Sequence, residues 1–117
     1  MGLSTHVLDT MHGQPAAGMQ VSLYCQTRGG EWELVKQLRL NQDGRPAEPL
    51  YRDGDLQAGR YRLLFGVAEY YLSRGVMLEQ PSFLDEVSVD FGVANPTEHY
   101  HVPLLVSPWT YSTYRGS

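Results

Sequence analysis

Four histidines, His6, His12, His99 and His101, are the residues of this chain best suited to acid–base chemistry near neutral pH. In His99-Tyr100-His101 an extended backbone would set both imidazoles on one face, two residues apart. His6 lies in Leu3-Ser4-Thr5-His6-Val7-Leu8-Asp9, where Ser4 and His6 share one face and Thr5 and Val7 share the other. Strands from opposite ends of a chain meet in a sandwich, so three of these imidazoles can converge. The plain alternative is that each is a half-exposed polar strand residue. A zinc site is the sharper alternative, because a His-x-His pair and a third His leave a fourth position for water. No Cys or Asp is spaced to join the pair, although Glu98 is adjacent, so metal-free acid–base use ranks above metal. His12, in Met11-His12-Gly13-Gln14-Pro15, reads as a solvated loop residue.

Two other features carry chemical potential. In Asp43-Gly44-Arg45-Pro46, proline holds Arg45 in an extended backbone and projects it from a stiffened loop. Its guanidinium is a planar fork suited to carboxylate-like or imide-like groups, and eight of the nine basic residues are Arg, with Lys36 the exception. A solvated loop arginine is the ordinary reading of the same motif. The chain also ends in Ser112-Thr113-Tyr114-Arg115-Gly116-Ser117, just after Trp109 and Tyr111. Most termini are frayed and polar. This one, dense in aromatics and hydroxyls, suits a docked end that offers Tyr114, Arg115, Ser117 and a carboxylate. An edge strand with an exposed tail is the competing reading.

The elements that must position these groups are strands. Met19, Val21, Leu23 and Cys25 fall on one face, opposite Gln20, Ser22, Tyr24 and Gln26. After a turn at Arg28-Gly29-Gly30, residues Trp32 to Leu40 read as the hairpin partner. Asn41 to Gly44 signals a turn, and Pro46 and Pro49 keep the next stretch irregular. Alternation resumes at Tyr61, Leu63, Phe65 and Val67, and Phe83 to Val93 and Tyr100 to Val106 are further candidate strands. Ala68 to Gly75, with Tyr70, Tyr71 and Leu72 before Arg74-Gly75, suits one short helix with a glycine stop. About seven short strands with turn signals every ~8–12 residues predict an antiparallel sandwich.

Composition sets the outer limits. The chain has 117 residues, 42% hydrophobic and 19% charged, which predicts one ordinary globular domain over residues 1–117. A net charge of −4 points away from nucleic acid and anionic membranes. Cys25 is the only cysteine, so no intrachain disulfide forms, and its place in an alternating strand reads as a small buried hydrophobe. No apolar run reaches the length of a membrane span, and Met1 to His6 lacks the pattern of a signal peptide. A cytoplasmic location is the default expectation.

Taken in order, Leu3-Ser4-Thr5-His6-Val7-Leu8-Asp9, Gly13-Gln14-Pro15-Ala16, Asp43-Gly44-Arg45, His99-Tyr100-His101-Val102-Pro103-Leu104-Leu105 and Tyr114-Arg115-Gly116-Ser117 resemble the 5-hydroxyisourate hydrolases of the transthyretin-like family. The closing tetrapeptide is the most specific element, since the thyroid-hormone carriers of the same fold lack it. Trp109 departs from the pattern, where a tyrosine is expected. The resemblance implies an all-β, transthyretin-like antiparallel β-sandwich of about seven to eight strands, Greek-key in type, with one short helix. It implies hydrolysis of 5-hydroxyisourate to 2-oxo-4-hydroxy-4-carboxy-5-ureidoimidazoline in urate breakdown, without cofactor or metal. It places His6, Arg45, His101 and Ser117 in the catalytic site and Tyr114, Arg115, Gly116 and His99 on the substrate side. It also implies a homotetramer with sites in clefts between subunits. A carrier without turnover and a zinc-dependent cyclic amide hydrolase are the alternatives.

Overall fold

In the computed structural model, which describes residues 2–116, the alternating segments become eight strands and one helix. They are β1 (Gly2–Asp9), β2 (Gln14–Pro15), β3 (Gln20–Gln26), β4 (Trp32–Arg39), β5 (Gly59–Phe65), α1 (Val67–Ser73), β6 (Val87–Val93), β7 (His99–Val106) and β8 (Tyr111–Thr113). Two four-stranded sheets form, in the orders β2-β1-β7-β8 and β4-β3-β5-β6. Their inner faces interdigitate. Leu3, Val7, Leu104 and Val106 from the first meet Val21, Leu23, Leu63 and Phe65 from the second, all fully buried. Such a stack of β-branched and aliphatic residues is what period-two alternation produces when one face of each sheet is dry.

The hairpin expected around Arg28 to Gly30 is present, with Thr27 and Glu31 closing it and β4 antiparallel to β3. Cys25 is half-buried and packs against the core, as a small hydrophobe would. One pairing departs from the antiparallel pattern. β1 and β7 run parallel, from Gly2 opposite His99 to Asp9 opposite Val106. A parallel pair cannot be closed by a tight turn. Here the connection runs through the whole second sheet, which supplies the length.

Two boundaries also shift. The candidate strand at Phe83 to Val93 begins only at Val87, and Phe83 is 78% exposed. The cause lies in its partner. The pairing of β5 with β6 ends at Phe65 opposite Val87, because the chain then turns into α1. Beyond that point no strand lies beside residues 83–86, and the Asp85 carbonyl instead accepts from Ala68 N–H of the helix at 2.9 Å. Val67, read as the end of an alternating run, is instead the first residue of that helix. Val67, Tyr70 and Tyr71 recur at helical spacing on its buried face. The helix closes with Gly75 N–H on the Leu72 carbonyl and Val76 N–H on the Tyr71 carbonyl.

Asp9 ties this helix to β1. Its carboxylate is fully buried and accepts 2.8 Å hydrogen bonds from the Tyr70 and Tyr71 hydroxyls. Met11 and His12 N–H groups and His12 Nδ1, the last at 2.6 Å, complete the set. Burial by itself would raise this pKa, but the bonds from His12, Tyr71 and Tyr70 outweigh it and hold the carboxyl below its usual value. Burial and the Asp9 charge push Tyr70 up to about 12. His12 lies in an exposed turn, as its sequence context suggested, but its ring also bonds Asp9 and so latches the β1–β2 turn.

Candidate active site on the outer face of one sheet

Along β1 the inward residues Leu3, Thr5, Val7 and Asp9 are buried, which turns Ser4, His6 and Leu8 to the outer face. Along β7 the buried residues Tyr100, Val102, Leu104 and Val106 turn His99 and His101 to that same face. The two imidazoles of β7 are nearly parallel, 10° apart in plane with centroids 6.5 Å apart. The parallel register puts Ser4 opposite His101 and His6 opposite Pro103. His6 and His101 therefore sit one strand apart and two residues along, a separation of about 8 Å between Cα atoms for ordinary strand spacings. Three imidazoles from the two ends of the chain share one face.

Arg45 reaches this face from a built turn. The Asn41 side-chain oxygen accepts from the N–H groups of Asp43 at 2.9 Å and Arg45 at 3.2 Å, and Asn41 N–H donates to the Arg45 carbonyl at 2.8 Å. The Gly44 carbonyl then accepts from Val7 N–H at 2.9 Å, which pins the turn to β1 one residue past His6. Gly44 has φ +73°, and a Cβ there would stand 2.6 Å from the Val7 oxygen. Only glycine fits both the conformation and the approach. Nothing in the bare Asp-Gly-Arg motif signalled the anchoring bond.

The electrostatics follow from this grouping. The pKa of His101 is lowered first by burial and then by the charges of Arg45, His6 and His99. That of His6 is lowered by burial and by Arg45, with the Asp43 backbone and carboxylate acting in the opposite direction. Both imidazoles are therefore neutral at neutral pH and able to accept a proton, beside a permanent cation able to hold an anion. Among the described residues, no three His, Cys, Asp or Glu side chains are grouped so as to hold a metal ion.

The C-terminal segment docks against the same place. Gly116 N–H donates to the His101 carbonyl at 2.8 Å, in the register that pairs Leu104 with Thr113. A Cβ on Gly116 would lie 2.6 Å from His101 Cδ2, so the chain passes directly over the ring edge. Arg115 turns elsewhere. Its guanidinium pairs with Glu98 at 2.9 Å, donates to the His99 carbonyl at 3.2 Å and sits 4.0 Å above the Tyr100 ring. Tyr114 is exposed and borders an open crevice of about 350 Å³, with Phe91, Tyr100 and Val102 among its other walls. Ser117, expected in the site, lies outside the described residues. The structure thus gathers His6, His99, His101 and Gly116, sets the charge of Arg45 beside them, and uses Arg115 as a clamp on the terminal segment.

A model of the HIUase/Transthyretin family matches residues 3–116. The chain is 48% identical to the 5-hydroxyisourate hydrolase of Pseudomonas aeruginosa over 98% of its length and 90% of that protein's. The solved structure of (S)-allantoin synthase is similar with a TM-score of 0.92 at 42% identity, over 99% of this chain, which spans 43% of that longer one. The 5-hydroxyisourate hydrolase of Klebsiella pneumoniae is similar over 100% of both chains, with a TM-score of 0.81 and 34% identity. On the strength of this match and of the sandwich that carries it, the chain belongs to the HIUase/transthyretin family.

Proposed function

We propose that this chain is a hydroxyisourate hydrolase, which opens the ring of 5-hydroxyisourate at a cyclic acyl C–N bond. The observation that carries the reading is the convergence of His6 and His101, with lowered pKa values, beside the Arg45 charge. Ring opening needs a base for water, a stabiliser for the developing negative charge and a proton for the departing nitrogen. One of the two histidines takes a proton as the water oxygen bonds to the carbonyl carbon. The same proton then goes to the ring nitrogen as the C–N bond breaks, so the reaction consumes one water and no redox equivalent. Arg45 holds the oxyanion through its fork. His99 and Gly116 border the substrate, and Ser117 hydrogen-bonds it. Tyr114 and Arg115 hold the terminal segment in place. This set works without metal or cofactor.

The site is open on a single chain, and we place it between subunits of a homotetramer, a single domain per subunit, working in the cytoplasm. Leu8, on the histidine face, is 36% exposed; Met11 and Trp109, in the two turns at the end of that sheet, are 46% and 61% exposed. Apolar side chains so placed suit burial against a second copy. No helix among the described residues is long and apolar enough to cross a membrane. The test is the ultraviolet decay of 5-hydroxyisourate generated in place by urate oxidase, with and without the protein and with chelator present. Acceleration that survives chelator supports the metal-free hydrolase. No acceleration by folded protein sinks it and leaves the carrier as the reading to pursue.

A further inference from the structure

The Ser4 hydroxyl lies 2.7 Å from His101 Nδ1. This contact is built into the sheet, because the parallel register of β1 and β7 sets the two residues directly opposite each other on the outer face. On the other edge of the ring, Gly116 closes over Cδ2. With Nδ1 turned to β1 and Cδ2 to the terminal segment, Nε2 occupies the outer end of the ring, where a substrate would meet it. We propose that Ser4 is a positioning residue, accepting a hydrogen bond from Nδ1–H of His101 so that Nε2 keeps the lone pair and His101, rather than His6, activates the water. The inference rests on the reading of the chain as a hydrolase.

A serine hydroxyl can donate or accept. Were it to donate, Nδ1 would hold the lone pair and Nε2 the proton, and the ring could take nothing from water at its outer end. With Ser4 as acceptor, Nδ1–H stays bonded in both the imidazole and the imidazolium, so nothing reorganises when the proton arrives. A hydroxyl also differs from a carboxylate in this role. A carboxylate would orient the ring but raise its pKa strongly, whereas a neutral oxygen orients it and raises the affinity for a proton much less. Among the described residues, the charged and titratable groups that act on His101 are Arg45 from the 41–45 turn, His6 from β1 and His99 from β7, while Arg115 of the terminal segment is turned away and paired with Glu98.

Ring ¹⁵N spectra of the labelled protein read the tautomer directly, with His101→Gln used to assign the signals. Neutral His101 is expected as the Nδ1–H form in the wild type, and the Nε2–H form would overturn the proposal. Ser4→Ala should lower kcat about ten-fold with KM little changed, and move the acid limb of the rate profile down by about one pH unit, the size of one lost hydrogen bond to a cation. Ser4→Thr should restore most of both. Parental kcat and an unmoved acid limb in Ser4→Ala would remove Ser4 from the mechanism. If the wild type does not hydrolyse 5-hydroxyisourate at all, the functional reading fails and His101's role as base with it. The ring spectrum would still decide whether Ser4 sets the tautomer.

Discussion

Arg45 acts on the site in two ways that experiment can separate. Its charge, after burial, lowers the pKa of both His6 and His101, and in the function we propose its fork holds an oxyanion. A lowered imidazole pKa keeps the base unprotonated to lower pH. The acid limb of kcat/KM should therefore fall with a midpoint below the ordinary histidine value of about 6.5. Arg45→Gln removes both charge and fork, so the limb should move up in pH while the plateau drops about a hundred-fold, as for a lost oxyanion donor. Arg45→Lys keeps the charge without the fork. Its limb should stay where the parent's is while the plateau still falls. A pH series on the three proteins checks this, and an unmoved limb in Arg45→Gln would place the guanidinium away from both rings.

The short terminal segment decides more of the site than its length suggests. Gly116 passes over His101 with room for a hydrogen and no more, a Cβ falling 2.6 Å from Cδ2. Gly116→Ala should force the ring to rotate or the segment to lift, costing at least ten-fold in kcat. Because the core lies on the opposite face of β7, the midpoint of thermal unfolding should move by no more than about 2–4 °C. Parental activity in this variant would mean that the terminal segment does not help to build the site. Much of the element plan was legible beforehand, because residues such as Val21, Leu23, Leu63 and Phe65 follow the period of a half-buried strand without help from the rest of the chain. So was the shared face of His99 and His101, which needs only the same period. What could not be read depends on partners. The parallel pairing of β1 with β7, the late start of β6 and the bond from His12 to Asp9 are each set by residues outside the segment concerned. The contacts of Arg115 with Glu98 and the Tyr100 ring are of the same kind, set by residues outside the terminal tetrapeptide.

At the scale of the whole molecule, the sandwich core is too thin to be hollowed for a ligand. Two packed sheets stand about 10 Å apart, and Leu3, Val7, Leu23 and Phe65 already fill that space. A catalytic face on the outside of a sheet escapes this limit but lies open to water, which weakens every electrostatic contact that the mechanism needs. In the assembly we propose, a second copy laid over the face would restore a dry cleft and cover the exposed Leu8, Met11 and Trp109. Assembly and activity should then fail together. Leu8→Glu combined with Met11→Glu puts charge into that contact while leaving His6, Arg45 and His101 untouched. The variant should sediment as a smaller species than the parent and lose activity in proportion, and raising its concentration should recover part of both. A variant that is monomeric and fully active would show that one chain makes a complete site, and the open face would then need another explanation for its apolar rim.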